Sequence, residues 1–123
     1  MSLVVNTRKS GDVCVATVSG RLTLGDGVGT MRDAIRQIVK EGHQKVLIDL
    51  ADVSYVDSSG LGVLVAGFAS VANQGGRLKL LNVISRVQDL LLITKLYTVF
   101  EVFEDEATAL KSFEQPAASA VQR

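Results

Sequence analysis

The sequence predicts an α/β domain with a mostly parallel β-sheet. After two β-type runs near the N-terminus, strand-like segments alternate with helical segments of about 10 to 15 residues, the pattern of parallel strands joined by helices. The segment KVLIDL at 45–50 is almost continuously apolar, which is typical of a strand covered on both faces. The 123 residues suit a single domain. We assign residues 1–113 to it and expect 114–123 to be a disordered tail.

The N-terminal elements are predicted to form a hairpin. Two runs rich in β-branched residues, LVVN at 3–6 and VCVATVSG at 13–20, flank the turn-like sequence TRKSGD. Their short separation favours antiparallel pairing.

A helix is predicted from Val28 to about Lys40, because apolar residues recur there at helical spacing opposite charged ones. It follows the glycine-rich stretch GDGVG at 25–29. Asp26 and Thr30 are the two candidate N-caps, and KVLIDL then forms the central strand.

The remaining elements continue the alternation. The stretch VDSSGLGVL at 56–64 opens a helix that runs to about Asn73, ahead of two glycines. Ser85 and Gln88 have the spacing of a capping box for the helix that comes after. In chain order, the predicted elements after Asn73 are a strand at 77–82, a helix at 85–95, a strand at 98–103 and a helix at 105–113.

Composition argues against nucleic acid and membrane partners. The chain has 13 Lys and Arg residues against 13 Asp and Glu residues, and neither sign forms a block that would attract nucleic acid or an anionic membrane. No leader-like segment opens the sequence, and no run approaches the ~20 apolar residues of a membrane span. The one cysteine, Cys14, lies in a predicted strand and suits a reducing compartment. We therefore expect a cytoplasmic protein without membrane insertion.

Asp57, Ser58 and Ser59 raise the question of a catalytic serine. A nucleophilic serine needs a nearby general base, but the single histidine, His43, precedes the central strand whereas Ser58 follows it. At about 3.3 Å per residue, the strand would hold them roughly 15 to 20 Å apart. The glycine that precedes the serine of a nucleophile elbow by two residues is also missing. We expect no catalytic residue, no metal site and no enzyme activity.

Neither glycine-rich stretch is a good match to a nucleotide-binding loop. SSGLG lacks the lysine and the glycine spacing of a phosphate-binding loop, and GDGVG is a weak match to a dinucleotide fingerprint. We interpret GDGVG as a flexible loop before a helix. Nucleotide binding through GDGVG stays open as a third hypothesis.

The helix after Ser58 has two contrasting faces. The predicted core face consists of Leu61, Leu64, Val65, Phe68, Val71 and Ala72. The other face is small and uncharged, and it consists of Gly62, Val63, Ala66, Gly67 and Ser70. Because a surface helix normally carries charge there, we expect contact with a partner, with burial inside the domain as the alternative.

The residue types at the start of this helix are compatible with a phosphorylation switch. Asp57 and Ser58 are both favoured N-cap types. A phosphate at a helix N-terminus is tolerated by the helix, whereas a close apolar interface disfavours it. The fold would therefore survive a modification that a partner would reject.

Nearly the whole chain up to Phe113 resembles the STAS domain family, specifically the small bacterial anti-sigma factor antagonists. The resemblance rests on VSGRLT, VLIDLADVSYVDSSGLGVLV, RLKLLNVISRVQDLLLITKL and TVFEVFEDEATAL. It implies a STAS-like fold with about four helices, and binding to a serine kinase that is also an anti-sigma factor. Phosphorylation by the kinase would end tight binding and a serine phosphatase would restore it. ATP and Mg²⁺ would belong to the kinase, so no cofactor is expected in this chain.

Carried over by position, the resemblance implies that Ser58 is the phosphoacceptor, with Asp57 as its acidic neighbour and Ser59 as the second choice. The implied partner contacts are Gly60, Leu61 and Gly62, to which the uncharged face adds Val63 and Ala66. The expected partner contacts also include Asp57 and Ser59 beside Ser58, and Thr23 and Asp26 in the segment before the helix predicted from Val28.

One departure from the family pattern lies after GRL, where aspartate is common and this sequence has Thr23. An acidic group near Ser58 would then have to come from Asp26. The alternative function is a constitutive STAS subunit of another signalling or lipid-transport assembly, in which Ser58 only caps the helix.

Overall fold

The structure, a computed structural model, describes residues 3–114. It contains one five-stranded sheet in the order β1-β2-β3-β4-β5. The strands are β1 (Val4–Ser10), β2 (Val13–Leu22), β3 (Lys45–Val56), β4 (Arg77–Leu81) and β5 (Val102–Phe103). The helices are α1 (Val28–Lys40), α2 (Ser58–Asn73), α3 (Ser85–Thr94) and α4 (Glu106–Ser112). All of the predicted tail except Glu114 lies outside the described residues.

The sheet confirms the predicted α/β class. β1 and β2 pair antiparallel, and the three later pairs of neighbours are parallel. β3 is the central strand, as its apolar character predicts. Each parallel pair is joined by one helix, α1, α2 or α3 in chain order. Within residues 3–114, no helix is both long and apolar enough to span a bilayer.

The two strands of the hairpin are longer than predicted. β1 continues through most of TRKSGD, and only Gly11 and Asp12 remain as the turn between Ser10 and Val13. Gly11 has a φ of 62°, which glycine adopts at little steric cost. The polar residues of the segment are compatible with a strand because β1 lies at the edge of the sheet.

The central strand is also longer than predicted. β3 has 12 residues, and its second half pairs with the end of β2 as far as Leu22 opposite Val56, past two irregularities in register. Asp57 therefore follows directly after the paired segment, at the carboxyl end of β3. Parallel sheets commonly bind ligands and partners at that end.

The two faces of the sheet are covered unequally. The larger core lies between the sheet and α1, α2 and α3, and it includes Cys14, Ile48 and Leu80. The other face has a smaller core, in which Phe113 at the end of α4 lies in one cluster with Leu47. Cys14 is therefore a buried apolar residue, as predicted.

The starts of α1 and α3 differ from the predicted caps. The N-cap of α1 is Gly27, with a φ of 103° and no side-chain cap, so neither Asp26 nor Thr30 caps this helix. A Cβ atom at Gly27 would overlap the carbonyl oxygen of Arg21, so glycine is required by both the backbone angle and the close approach. Ser85 is the first residue of α3 and makes no cap, so the predicted capping box is wrong.

The last strand is shorter than predicted. A 3₁₀ turn at Leu96–Thr98 includes its first predicted residue, Thr98, and the strand itself starts only at Val102. Phe100 then turns into the larger core, where its ring packs edge to face against Phe68 with centroids 5.5 Å apart. Only Val102–Phe103 remain to pair with β4.

Candidate functional site

The site begins where β2 and β3 end side by side. The backbone N–H of Asp57 donates to the carbonyl oxygen of Leu22 at 3.3 Å, which continues the pairing of the two strands. The chain leaves β2 in a tight turn and leaves β3 as α2. The turn at Thr23–Asp26 and the first turn of α2 are therefore neighbours.

The carboxylate of Asp57 links these two segments. Its Oδ1 accepts from the backbone N–H of Gly60 at 2.8 Å, so Asp57, one of the two predicted candidates, is the N-cap of α2. Its Oδ2 accepts from the backbone N–H of Leu24 at 3.1 Å. One side chain thus holds both the helix start and the adjoining turn. The second bond could not be predicted, because nothing in the sequence indicates that residues 24 and 57 meet.

These contacts keep Asp57 ionised. Partial desolvation raises the pKa of its carboxyl group, but hydrogen bonds from the backbone N–H groups of Gly60, Leu24 and Ser59 outweigh that effect, and the pKa lies below its ordinary value. The residue before Ser58 therefore carries a full negative charge at neutral pH.

Ser58 is the first residue of α2 and is exposed. Its hydroxyl makes no hydrogen bond to any residue of the described range 3–114. Ser59 is half-buried and its hydroxyl likewise has no partner there. Asp57 supplies the cap, and the exposed Ser58 hydroxyl holds no other part of residues 3–114 in place.

Gly60 and Leu61 belong to the interior. A Cβ atom at Gly60 would overlap the carbonyl oxygen of Leu22, so this glycine allows α2 to start against the end of β2. Leu61 is only 3% exposed and lies in the larger core. Both were predicted as partner contacts, but their burial removes them from the exposed surface.

The uncharged face of α2 is divided between exposed and buried positions. Gly62, Ala66 and Ser70 are exposed, as predicted. Val63 is 5% exposed and Gly67 is buried, so the prediction that they face outward is wrong. The reason is α1, which packs beside α2. A Cβ atom at Gly67 would lie 2.6 Å from Cδ1 of Ile35.

The predicted core face is also corrected at its far end. Leu61, Leu64 and Val71 are buried as expected. Ala72 is exposed, because the helix turns this position beyond the edge of the core.

The turn after β2 is closed by Thr23 and Asp26. Their backbone groups exchange two hydrogen bonds, of 2.8 and 3.0 Å, and the Thr23 hydroxyl donates to the Asp26 carbonyl oxygen at 3.2 Å. The Asp26 carboxylate lies 3.7 Å from Nε of Arg21. Asp26 is therefore paired with a cation, and the carboxylate held at the start of α2 is that of Asp57. Leu24, at the tip of the turn, is 69% exposed, and no local sequence pattern indicates this exposure.

His43 lies at the other end of β3 from Ser58. Its ring contacts Glu41, with Nε2 at 3.2 Å from a carboxylate oxygen. Since β3 is twice as long as predicted, its 12 residues alone span roughly 35 Å, more than the predicted separation. His43 therefore does not act as a base for Ser58. Within residues 3–114, no three side chains of the metal-binding types are grouped together.

Known proteins share both the sequence pattern and the fold. The sequence model of the STAS domain family matches residues 4–109. The anti-sigma-B factor antagonist of Bacillus subtilis is 31% identical over 102 residues, covering 83% of this chain and 92% of the relative. An anti-sigma factor antagonist from Mycobacterium paratuberculosis has a crystal structure with a TM-score of 0.83 at 21% identity, covering 93% of this chain and 96% of that one.

A further structural neighbour is the Bacillus anti-sigma factor antagonist SpoIIAA, whose structure is known in unphosphorylated and phosphorylated forms. The two forms have TM-scores of 0.66 and 0.68 at 19% and 18% identity, and they cover 90% and 89% of this chain and 98% and 99% of SpoIIAA. The sequence match over residues 4–109 and the fold agree, and the chain belongs to the STAS domain family.

Proposed function

We propose that this protein is an anti-sigma factor antagonist whose binding to its partner is controlled by phosphorylation of Ser58. The observation that carries the proposal is the exposed Ser58 hydroxyl, which has no partner within residues 3–114 and stands at a helix start already capped by Asp57. The relatives named as anti-sigma factor antagonists support it. So does SpoIIAA, a relative in fold that has a phosphorylated form.

The fold is suited to carry a phosphate on Ser58. The modification would break no hydrogen bond of the Ser58 side chain, because none is made within the described chain. The positive end of the α2 dipole favours the added charge of about −1.5 to −2. The phosphorylated domain should therefore stay folded.

A bound partner would respond differently. The phosphate would stand next to the ionised Asp57, at one end of a helix that has no charged residue. A partner that covers this surface would have to desolvate two adjacent anionic groups. A penalty of about 3 kcal/mol weakens binding roughly a hundredfold or more.

The other components follow from this role. The partner is a serine kinase that acts as anti-sigma factor and brings ATP and Mg²⁺, and a serine phosphatase reverses the modification. The chain itself acts in the cytoplasm as a binding protein and substrate, not as an enzyme. The exposed Leu24 beside the Asp57 carboxylate gives the partner an apolar contact next to Ser58.

The test compares binding of the anti-sigma factor kinases of the source bacterium to wild type, Ser58→Ala and Ser58→Asp. Ser85 supplies a matched control, because it is also exposed and also the first residue of a helix. We expect Ser58→Ala to bind like wild type, Ser58→Asp to bind at least tenfold more weakly, and Ser85→Asp to be unaffected. Equal affinities for all four proteins would refute the switch, as would incubation with kinase and ATP that leaves residue 58 unmodified by mass spectrometry.

The cap formed by Asp57 also bears on the alternative of a constitutive STAS subunit. In that alternative Ser58 serves only as a helix cap, but the cap hydrogen bond to Gly60 comes from Asp57. The main structural argument for a purely capping serine is therefore absent.

A further inference from the structure

A groove runs between α1 and α2 on the helical side of the sheet. It has a cavity volume of about 300 Å³. Its lining residues are Arg32, Ile35, Arg36 and Val39 from α1, and Val63, Ala66, Gly67 and Ser70 from α2. At Gly67 the missing side chain lets Ile35 pack closely on the backbone of α2, since a Cβ atom there would lie 2.6 Å from Cδ1 of Ile35. The floor is apolar and closely packed.

The groove is continuous with the surface around Ser58. Its α2 wall belongs to the helix that Ser58 begins, and exposed Gly62 lies between Ser58 and Ala66 at successive spacings of four residues. On the other side, Arg32 lines both this groove and the hollow formed by the turn after β2 and the first residues of α1, at 24–30. A partner seated over Ser58 can therefore extend into the groove without crossing a barrier.

The charged side chains that line the groove are all positive. α2 has no charged residue, so the charged lining comes only from Arg32 and Arg36 of α1. Arg32 has no ion-pair partner within residues 3–114. Arg36 lies 3.2 Å from Asp33, but both side chains are more than two-thirds exposed, so this pair is weak and exchangeable. An apolar floor with two guanidinium groups on its rim is complementary to apolar side chains flanked by carboxylates.

We infer that the α1–α2 groove is a second contact surface for the anti-sigma factor and that it receives an acidic amphipathic segment of that partner. This inference rests on the proposed function, because it takes the protein that recognises Ser58 as the occupant. Apolar side chains of the segment pack on Val63, Ala66 and Gly67. Its carboxylates pair with Arg32 and Arg36. Grooves between helices commonly accept a segment of this kind.

The groove also makes binding sensitive to the phosphate without contacting it. An acidic segment in the groove brings further negative charge to the surface that starts at Ser58. Phosphorylation of Ser58 therefore repels the segment in addition to the contact over Asp57. The arginines select for acidic partners, and the phosphate discriminates against the same partners once Ser58 is modified.

The test measures binding of the anti-sigma factor kinases of the source bacterium to two groove variants. The double variant Arg32→Glu, Arg36→Glu reverses the charge of the groove's rim, and Ala66→Glu places a carboxylate on its floor. The matched controls are Lys9→Glu with Lys111→Glu, which makes the same change in charge away from the groove, and Ala72→Glu, an exposed position on α2 outside it. We expect at least tenfold weaker binding for both groove variants and wild-type binding for both controls, with each variant keeping the wild-type unfolding midpoint.

A photo-crosslinking amino acid at Ser70 identifies the occupant. The expected partner peptide has apolar residues flanked by Asp and Glu. Two results would refute the groove as a contact surface and leave the proposed function intact. One is a crosslinked peptide that is basic or uncharged. The other is wild-type binding by the groove variants while Ser58→Asp binds weakly. If instead Ser58→Asp binds like wild type and the groove variants bind weakly, the switch fails and the groove stands as a docking surface. A kinase that binds none of the proteins overturns both.

Discussion

Asp57 provides the most direct test of how the site is held together, because its one carboxylate holds two segments that are far apart in the sequence. Asp57→Ala removes the bond to the Gly60 N–H at 2.8 Å and the bond to the Leu24 N–H at 3.1 Å. Asp57→Asn keeps one side-chain oxygen and replaces the other with an NH₂ group, so it can accept only one of these bonds well.

The expected loss follows from these two bonds. An N-cap bond contributes about 1 kcal/mol. The partly exposed bond to Leu24 adds about 1 kcal/mol more, which is below the range of about 1.5 to 3 kcal/mol for bonds to charged groups because water competes with it. Asp57→Ala should therefore lower the free energy of unfolding by about 2 kcal/mol and Asp57→Asn by about 1 kcal/mol. With 123 residues, a loss of about 2 kcal/mol corresponds to a decrease in Tm of about 8 °C.

Urea and thermal unfolding of wild type and both variants measure these losses. Amide hydrogen exchange at Leu24 and Gly60 shows whether both bonds contribute. Asp52→Ala is the matched control, because Asp52 is an exposed carboxylate on β3, the strand that leads to Asp57, and its side chain makes no hydrogen bond to residues 3–114. A loss below about 0.5 kcal/mol for Asp57→Ala, or unchanged protection of the Leu24 amide, would refute the linking role.

Two further predictions concern the same region. Because the folded pKa of Asp57 lies below its ordinary value of 3.8, its contribution to stability is fully present above that value and is lost as the pH falls through the folded pKa. The difference in urea midpoint between wild type and Asp57→Ala should therefore be full at neutral pH and shrink as the pH falls below 3.8. A difference unchanged by acid would contradict this. Gly60→Ala should destabilise the fold by about 2 to 3 kcal/mol, because its Cβ atom overlaps the Leu22 carbonyl oxygen. Gly62→Ala, with no atom within 4 Å of the new Cβ, should stabilise the fold by up to about 1 kcal/mol. Equal unfolding midpoints for the two variants would show that the close approach at Gly60 is absent.

The order and type of the elements could be predicted because they depend on local periodicity. The apolar run at 45–50 indicated the central strand, and the pattern after Val28 indicated α1. The ends were less predictable because they depend on distant partners. Asp52 and Ser54 interrupt the apolar pattern after KVLIDL, yet this segment is part of β3 because it pairs with the end of β2. The start of α1 is fixed by Gly27 against Arg21, which local sequence does not reveal.

The candidate site shows the same division between local and tertiary information. Asp57 was predictable as a cap because capping involves only the next three residues. The burial of Val63 was not predictable, because it depends on how α1 crosses α2. Gly67 permits that crossing by accommodating Ile35, and a glycine in a helix has the same local signature whether it faces a neighbour or solvent. The bond between Leu24 and Asp57 likewise depends on the adjacent ends of two strands.

The division of labour between Asp57 and Ser58 has a consequence for how such a protein evolves. The anchoring of α2 depends on residue 57, whereas the Ser58 hydroxyl contributes no hydrogen bond within the described chain. Under the proposed function, a mutation at residue 58 would therefore alter signalling without causing misfolding. After gene duplication, one copy could then acquire alanine at this position and lose the proposed off state, or acquire glutamate and lose the proposed on state. Paralogues with opposite default settings are thus a single substitution apart on an unchanged scaffold.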